Sequence, residues 1–421
     1  MPIQKDMQNG NSDALGIDLK QAIYALSDAL DFVGVDEVHH GKRVGYMVLE
    51  CAKHMGLPDE ECQHLFEMGL LHDCGVSSTR VHDHLVSEFD WSNSMVHCEV
   101  GYNLLKDFEP LQSMALPIRY HHTHWERLNE IDIDEKTKQY ANLIYLADRV
   151  DISSAAFYGK DILVQKEEVR KSITSKVGTH FSKELNEVFW DVADRQAFWL
   201  SLTPSHITSF MSEVRKKTQP SFISFSDLKQ IAHIFSQIVD AKSSFTMEHS
   251  AGVARLSRLL ADELHLDESI LDKIEIAGLL HDLGKLKIPD TILEKPGKLT
   301  DSERAIIEEH SFETFEILNK ITGLEDVARW AAYHHERPDG RGYPFQVHAP
   351  GLEVEARIIA VADVFQALVQ DRPYRKALVI REILVIMNEM AESGSLDSLI
   401  VALVQKRAPA CYEAALPDVH N

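Results

Sequence analysis

A short segment near the start of the last third of the chain carries residues that could do chemistry. His281-Asp282-Leu283-Gly284-Lys285 brings together an imidazole, a carboxylate and a lysine, and the adjacent His334 and His335 follow further along. Neutral imidazole nitrogens and carboxylate oxygens suit manganese, iron and zinc ions. A lysine beside such ions can carry positive charge to a bound phosphate. The combination predicts a metal centre that acts on a phosphate ester.

The same residue types occur twice, in the same order. In each half a histidine precedes a His-Asp pair by 32 residues, another histidine precedes a His-His pair by 24, and a late aspartate follows. The first set is His40, His72, Asp73, His97, His121, His122 and Asp148; the second is His249, His281, Asp282, His310, His334, His335 and Asp363. Seven matched positions in one order are hard to explain by chance, so we interpret the chain as an internal duplication.

Seven ligands, completed by water, can fill the shells of two metal ions if the aspartate of the His-Asp pair bridges them. Two metals about 3.5–4 Å apart can activate a hydroxide and hold the attacking and leaving oxygens of a phosphodiester. We therefore predict that the second set holds two divalent ions. Iron or manganese is expected, with nickel, cobalt or zinc as alternatives, because nitrogen and oxygen ligands accept several divalent ions.

Most of the chain shows apolar residues at three- and four-residue steps, which predicts amphipathic helices. These patterns cover residues 15–33, 41–55, 60–71, 250–265 and 267–280. Alternating strand patterns are scarce, so the predicted class is all-α. The polar, proline-containing stretch 216–221 predicts a boundary between a first domain, 1–217, and a second domain, 218–421.

Composition limits the binding partners and the cellular location that we expect for this protein. A net charge of −23 argues against binding to a nucleic-acid polymer, which would need a basic face. A small phosphorylated ligand is still compatible, because metal ions and a few lysines can reverse the field inside one cleft. No apolar run is long enough to span a membrane, and the N-terminus lacks the features of a secretory signal. Five cysteines without a CxxC pair predict reduced thiols in a cytoplasmic protein.

The region from about residue 222 to 375 resembles the HD-GYP family, a branch of the HD metal-dependent phosphohydrolases. The matching segments are Glu248-His249-Ser250, His281 to Lys285, Ile288-Pro289-Asp290, Lys295 to Thr300, His310, His334-His335-Glu336, Asp339 to Pro344, Ala362-Asp363 and Asp371 to Arg375. The resemblance implies two tandem HD-type helical domains. It also implies a phosphodiesterase that opens a bacterial cyclic dinucleotide messenger, cyclic di-GMP or 3′3′-cyclic GMP-AMP, to a linear dinucleotide.

The resemblance also implies roles for particular residues. Asp282 and Lys285 are the expected catalytic residues, with Lys285 at the scissile phosphate. The expected substrate contacts are Lys285, Gly342, Tyr343, Pro344, Arg372 and Arg375. The Gly-Tyr-Pro loop would shape the pocket. The two arginines would contact phosphate or base as planar, permanently charged donors, with a structural ion pair as the alternative.

Two positions depart from the family pattern. Phe245 stands where some members place a glutamate that holds a third metal, which favours two metals here. Gln366 stands where the family usually has an aspartate, three residues after the last ligand. That change leaves the local metal charge and the substrate preference open.

The first copy keeps the ligand types but lacks the phosphate lysine. Val76 aligns with Lys285, and no Gly-Tyr-Pro sequence follows His122. A metal site used for structure or regulation and a vestigial scaffold without metal both stay open, and a separate activity on another nucleotide is a minor alternative. We expect this domain to pack on or regulate the second, and a homodimer is compatible with the sequence.

Two other functions compete with the phosphodiesterase. A non-catalytic receptor could bind a cyclic dinucleotide and signal through a partner, but it need not keep Lys285 and every ligand. An HD nucleotidase could act on mononucleotides, but the Gly-Tyr-Pro segment and the arginines that follow it favour a larger substrate.

Overall fold

The computed structural model describes residues 14–33, 39–91, 93–217, 219–243, 248–371 and 376–416, and they are almost entirely helical. The first half contains α1 (Leu19–Leu30), α2 (His40–His54), α3 (Asp59–Leu71), α4 (Thr79–Ser87), α5 (Met95–Leu105), α6 (Gln112–Tyr120), α7 (Trp125–Leu128), α8 (Glu135–Ser154), α9 (Ile162–Thr174), α10 (Lys183–Ala193), α11 (Gln196–Ser201) and α12 (Pro204–Lys217). The second contains α13 (Phe225–Asp240), α14 (His249–Glu263), α15 (Glu268–Leu280), α16 (Asp290–Leu293), α17 (Asp301–Leu318), α18 (Glu325–Ala332), α19 (Val354–Val369), α20 (Ile380–Glu392), α21 (Ser398–Lys406) and α22 (Ala408–Ala415). Short 3-10 turns are Glu109–Leu111, Ala155–Phe157, Leu283–Lys287 and Tyr333–His335. The predicted all-α class is confirmed.

Two short strands join the halves. Strand β1 (Ala14–Asp18) pairs antiparallel with β2 (Phe222–Ser224). The prediction that a helix begins at residue 15 is therefore wrong, because helix α1 begins only at Leu19. Asp18 caps the helix by accepting the backbone N–H of Lys20, a role that aspartate fills well. The strand depends on a partner about 200 residues away, which local periodicity cannot reveal.

The two halves repeat one helix arrangement. Helix α2 packs on α3 and α8, as α14 packs on α15 and α19. The residue before the first ligand histidine has positive φ in both copies, 84° at His39 and 62° at Glu248. Few non-glycine residues adopt this conformation, so the duplication is visible in the backbone as well as in the ligand order.

A glycine in each His-Asp segment permits a close approach between two ligand-bearing elements. A Cβ atom at Gly284 would lie 2.0 Å from the carbonyl oxygen of His310, and one at Gly75 would lie 2.0 Å from that of His97. Only a residue without a side chain fits there. The contact brings the His-Asp pair next to the third histidine of each set.

Helix α1 of the first half packs against the second half, where it contacts the turn Leu283–Lys287, α13 and α17. Asp28 on this helix accepts hydrogen bonds from Lys320 at 2.9 Å and Arg215 at 3.0 Å, and it lies 2.8 Å from Lys42 Nζ. Burial would raise the pKa of Asp28, but the three cations, Lys42 first, hold it well below its usual value of 3.8. A buried carboxylate charge therefore helps to hold the two halves together.

Acid is expected to weaken this contact. Because the folded-state pKa of Asp28 lies below its unfolded value, its stabilisation is present above about pH 4 and is lost as the pH falls. We expect thermal unfolding of Asp28→Asn to show a smaller loss of melting temperature between pH 7 and pH 3 than the unchanged protein shows. Equal acid dependence of the two proteins would contradict this role.

Two further expectations from the sequence concern membrane-spanning segments and the cysteines. Among the described residues, no helix combines the length and the apolar character that a membrane crossing requires. The five cysteines, Cys51, Cys62, Cys74, Cys98 and Cys411, are buried and free.

Candidate metal centres

The predicted ligands of the second half converge around Asp282. Its Oδ2 atom lies 3.2 Å from His281 Nε2 and 3.9 Å from His249 Nε2. Asp363 Oδ1 lies 3.1 Å from His249 Nε2 and 3.9 Å from His281 Nε2. These four residues form one group of donor atoms. His249 begins α14, His281 and Asp282 directly follow α15, and Asp363 lies on α19.

The other oxygen of Asp282 faces a second group. Asp282 Oδ1 lies 3.5 Å from His310 Nε2 and 3.9 Å from His334 Nε2. These two nitrogens are 3.3 Å apart, and His335 offers a third donor within 4.8 Å of them. Since each oxygen of Asp282 faces a different group, the carboxylate is positioned to bridge two cations.

Backbone carbonyls orient the histidine rings. In His281, His310 and His334, Nδ1 lies 2.5–2.7 Å from the carbonyl oxygen of the residue three positions earlier. A carbonyl can only accept, so Nδ1 carries the proton and Nε2 presents its lone pair to the centre. For His249 the partner of Nδ1 is the side-chain oxygen of Gln370, at 3.1 Å.

The protonation states of His310, His335 and Asp282 suit metal binding. Burial lowers the pKa of His310 to about 3 and that of His335 to about 4, which keeps both rings neutral. Burial would raise the pKa of Asp282, but His281 and Lys285 hold it well below its usual range. Among the described residues, His281 Nε2 and Asp282 Oδ1 are buried without a hydrogen-bond partner. Buried polar atoms normally have partners, so this donor set fits metal cations.

Lys285 lies beside the bridging carboxylate. It follows Asp282 in the turn Leu283–Lys287, and its ammonium group donates to Asp282 Oδ2. The lysine side chain is 20% exposed, so it borders both the buried histidines and aspartates and the solvent. That position suits a group that contacts a phosphate held at the centre.

The Gly-Tyr-Pro loop packs against the ligand His335. The ring of Tyr343 lies 4.8 Å from the ring of His335, and its N–H donates to the carbonyl of His335 at 3.3 Å. A Cβ atom at Gly342 would lie 2.4 Å from the Cα of Glu336, so only glycine permits this approach. Pro344 follows through a cis peptide bond.

Glu336 had no separate role in the sequence-based predictions. Its buried carboxylate accepts the N–H groups of Phe345 at 2.7 Å, Gln346 at 3.0 Å and Val347 at 3.0 Å. Three hydrogen bonds to a carboxylate hold the end of the Gly-Tyr-Pro loop next to His335. The only sequence signal was its position directly after the His-His pair.

We expect Glu336→Gln to lower kcat/KM by roughly 10–100-fold, the effect of losing one charge-assisted hydrogen bond. The amide keeps one acceptor oxygen but presents a donor to the N–H of Val347, so the loop loses its position. Metal content, measured by mass spectrometry, should not change. Glu353→Gln, a matched substitution at the start of α19, should have a much smaller effect. An unchanged kcat/KM in Glu336→Gln would contradict this role.

The first half repeats the arrangement around Asp73. Its Oδ2 atom lies 3.5 Å from His72 Nε2 and 3.7 Å from His40 Nε2. Its Oδ1 atom lies 3.2 Å from His97 Nε2 and 3.7 Å from His121 Nε2. The structure therefore brings the predicted first set together as closely as the second.

An arginine distinguishes the first centre. Arg149 binds the carboxylate of Asp148 through Nε at 3.0 Å and through a terminal nitrogen at 2.8 Å. The other oxygen of Asp148 lies 3.3 Å from His40 Nε2, and His122 Nε2 lies 3.8 Å from Asp148 Oδ2. Val364 occupies the position after Asp363 in the second half. A comparison of Arg149 with Val364, the residues that follow the last aspartate of each set, could have revealed this difference from the sequence.

A cysteine also distinguishes the first centre. Cys98 Sγ lies 3.6 Å from His97 Nε2 and 3.6 Å from His121 Nδ1. Burial would raise the pKa of this thiol, but His121 and His97 lower it to about 6. The corresponding residue of the second half is Ser311, whose Oγ lies 3.3 Å from His310 Nε2.

Gln366 does not join the second centre. Its side-chain nitrogen donates at 3.1 Å to a backbone carbonyl in α22, away from the ligands. In the first half the aspartate at this position, Asp151, instead binds His40 Nδ1 at 2.8 Å. The substitution therefore removes a carboxylate from beside the first ligand histidine.

The predicted substrate contacts Arg372 and Arg375, together with Phe245, lie outside the described residues.

Comparison with known proteins adds to this geometry. Two HD domain models match, one to residues 38–153 and one to residues 233–400. A curated protein of Vibrio cholerae, 3′3′-cGAMP-specific phosphodiesterase 1, is 37% identical over 96% of this chain and 94% of its own length. The chain belongs to the HD-GYP family. The family predicted from the sequence is thus confirmed, and with it the metal dependence of the HD phosphohydrolases.

Other relatives cover different shares of this HD-GYP chain. The 3′3′-cGAMP-specific phosphodiesterase 3 of Vibrio cholerae is 31% identical over 71% of this chain and 65% of its own length. A cyclic di-GMP phosphodiesterase response regulator of Xanthomonas campestris is 44% identical over 31% of this chain and 34% of its own length. The crystal structure of V-cGAP3, a cyclic GMP-AMP specific phosphodiesterase from V. cholerae, matches with a TM-score of 0.61 at 24% identity, covering 96% of this chain and 99% of that one. The last match supports the tandem helical fold.

Proposed function

We propose that this protein hydrolyses 3′3′-cyclic GMP-AMP to a linear dinucleotide, with cyclic di-GMP as the second candidate substrate. The relative that aligns along both halves carries the cGAMP-specific name and covers 96% of the chain. Two relatives named as cyclic di-GMP phosphodiesterases align over 31% of the chain. Because the cGAMP-specific relative aligns with the first half as well as the second, we favour cyclic GMP-AMP as the substrate.

The observation that carries the activity is the shared carboxylate of Asp282, with one oxygen toward each donor group and the ammonium of Lys285 against it. We propose that the seven residues from His249 to Asp363 hold two divalent cations, iron or manganese. When bound, these cations would supply Lewis acidity toward the phosphate and lower the pKa of water. Lys285 would offset charge that develops on the phosphate oxygens, and Tyr343 and Pro344 would border the bases.

One experiment tests this function. Purified, manganese-loaded protein is incubated with cyclic GMP-AMP, cyclic di-GMP and mononucleotides, and the products are separated by chromatography. We expect a linear dinucleotide from cyclic GMP-AMP and loss of turnover after chelation. Binding of a cyclic dinucleotide without metal-dependent turnover would favour a receptor. Turnover of mononucleotides alone would favour a nucleotidase.

For the first half we propose a metal site that serves structure or regulation rather than hydrolysis. Its support is the cluster around Asp73 without a counterpart of Lys285, since Val76 is buried at that position. We also propose a division into domains 1–217 and 218–421. A cytoplasmic location is consistent with five buried, free cysteines. A homodimer stays a prediction.

We propose that the first half regulates the second through the turn that carries Lys285. Asp290 follows this turn and accepts hydrogen bonds from Ser78 Oγ at 2.7 Å and from the N–H of Arg80 at 3.2 Å. Lys242, whose side chain is fully buried, lies 3.3 Å from Asp290 Oδ1. A change at the start of α4 would therefore reach the segment beside the catalytic centre.

We expect Ser78→Ala to lower the stability of the domain contact by about 1.5–3 kcal/mol, as for a lost hydrogen bond to a charged group. If the contact also positions the turn, kcat should fall severalfold while the metal content stays constant. The matched control is Ser87→Ala, an exposed position at the end of the same helix. Reduced stability with unchanged kcat would leave the contact structural and contradict the regulatory proposal.

A further inference from the structure

We propose that the first-half centre holds a single metal ion with the thiolate of Cys98 as one ligand, and that it takes a softer cation, such as zinc, than the second-half centre. The inference rests on the proposed metal site of the first half and specifies its ligands. The other donors would be His97 and His121, with His122 adjacent, and Asp73, whose Oδ1 atom faces both His97 and His121.

The distances between donor atoms support this ligand set. Metal–sulfur bonds of about 2.3 Å and metal–nitrogen bonds of about 2.0–2.1 Å at tetrahedral angles place sulfur and nitrogen about 3.6 Å apart and two nitrogens about 3.4 Å apart. Cys98 Sγ lies 3.6 Å from His97 Nε2, and the Nε2 atoms of His97 and His121 are 3.3 Å apart. Asp73 Oδ1 lies 3.2 Å from His97 Nε2.

The surroundings of these donors also support a cation. The ligand atoms of Cys98, His97, His121 and His122 lie within 4.8 Å of one another, and all four residues are buried. Among the described residues, Asp73 Oδ1 is a buried atom without a hydrogen-bond partner. The thiol of Cys98 is 3.4 Å from the carbonyl of Ser94, a weak contact. Metal binding would replace that contact and release the thiol proton to solvent.

Arg149 explains why we infer one ion rather than two. The other donor group of the first half contains His40, His72 and Asp148, and the guanidinium of Arg149 binds this Asp148 carboxylate with two nitrogens. A cation in that group would face a fixed positive charge at close range, and arginine does not lose its proton in proteins. The second half has the uncharged Val364 at this position, so both of its groups stay available.

Cys98 explains the inferred metal preference. Thiolate ligands favour zinc and other soft cations, whereas nitrogen and oxygen donors accept manganese and iron. The second half carries Ser311 at the position of Cys98, and its seven proposed ligands are histidines and aspartates. Two copies of one scaffold would thus be adapted to different ions.

Cobalt substitution of the full chain tests the inference, because a thiolate bound to Co²⁺ gives charge-transfer absorption in the near ultraviolet. The second-half ligands include no cysteine, so this absorption would report Cys98. We expect it to reach its maximum at one equivalent of thiolate-bound cobalt, to vanish in Cys98→Ser and Cys98→Ala, and to persist in Cys411→Ser, which alters a buried cysteine of α22. Zinc affinity of the first half should fall in Cys98→Ser by more than the roughly 10–100-fold that loss of an outer-shell partner costs.

The metal content of Asp282→Ala, in which the second-half centre is disabled, tests this inference separately from the proposed first-half metal site. One zinc per chain is expected. Bound metal without thiolate absorption, or absorption that survives Cys98→Ser, would overturn the role of Cys98 alone. Two ions in the first half would overturn the single-ion assignment, and no bound metal would overturn both the inference and the proposed first-half site. Circular dichroism checks that each variant is folded.

Discussion

Asp282→Ala is expected to reduce turnover of the cyclic dinucleotide by at least about 10³-fold, the scale seen when a principal electrostatic group is lost from an active site. One of its oxygens faces His281 and the other faces His310, so the substitution removes a ligand from both donor groups at once. The alanine also leaves the ammonium of Lys285 without its carboxylate partner. Metal content should fall together with activity.

The matched variant is Asp73→Ala in the first half. Because the first copy has Val76 in place of the lysine, we expect this variant to keep most of the turnover while losing first-half metal. Rates and metal content are measured on the same preparations. Loss of turnover in Asp73→Ala, with activity retained in Asp282→Ala, would assign the chemistry to the first half.

Lys285→Met is expected to lower kcat by about 10²–10³-fold with both second-half metals retained. Methionine keeps an apolar stem of similar length but carries no charge, so the phosphate oxygens lose the positive charge of Lys285. The lysine is not among the proposed metal ligands, and its contact with Asp282 Oδ2 is at the edge of the cluster. The measurements are kcat under saturating substrate and metal content by mass spectrometry.

Lys287→Met is the control for charge in the same turn. Lys287 pairs with Glu313 at 2.6 Å and Glu309 at 3.2 Å on α17 rather than with a ligand. Its replacement should affect stability more than kcat. If Lys285→Met loses the metals, the lysine holds the centre together and its assignment to the substrate phosphate is wrong.

Much of the helical fold follows from local pattern. The expected helices at 41–55, 60–71, 250–265 and 267–280 correspond to α2, α3, α14 and α15 within one or two residues at each end. Amphipathic periodicity determines these elements because one face of each helix must be buried. The start of the first helix was predicted wrongly, because residues 14–18 take their conformation from β2 and not from their own periodicity.

The proposed metal ligands were also selected from the sequence alone. Residue type and order were enough, since only a few side chains bind divalent ions and fourteen of them recur in two ordered sets. The contrast between Lys285 and Val76 was equally visible. Such features are properties of single side chains and of their spacing along the chain.

Only the tertiary structure decided how those side chains are used. Which oxygen of Asp282 faces which histidines depends on the packing of the turn Leu283–Lys287 against α17, permitted by the absence of a Cβ at Gly284. The contact of Asp148 with His40, and that of the Cys98 thiol with His121, likewise join side chains from separate helical segments. The sequence by itself determined the donors and their duplication. Three-dimensional packing decided which charges surround them, because electrostatic interactions act through space and not along the chain.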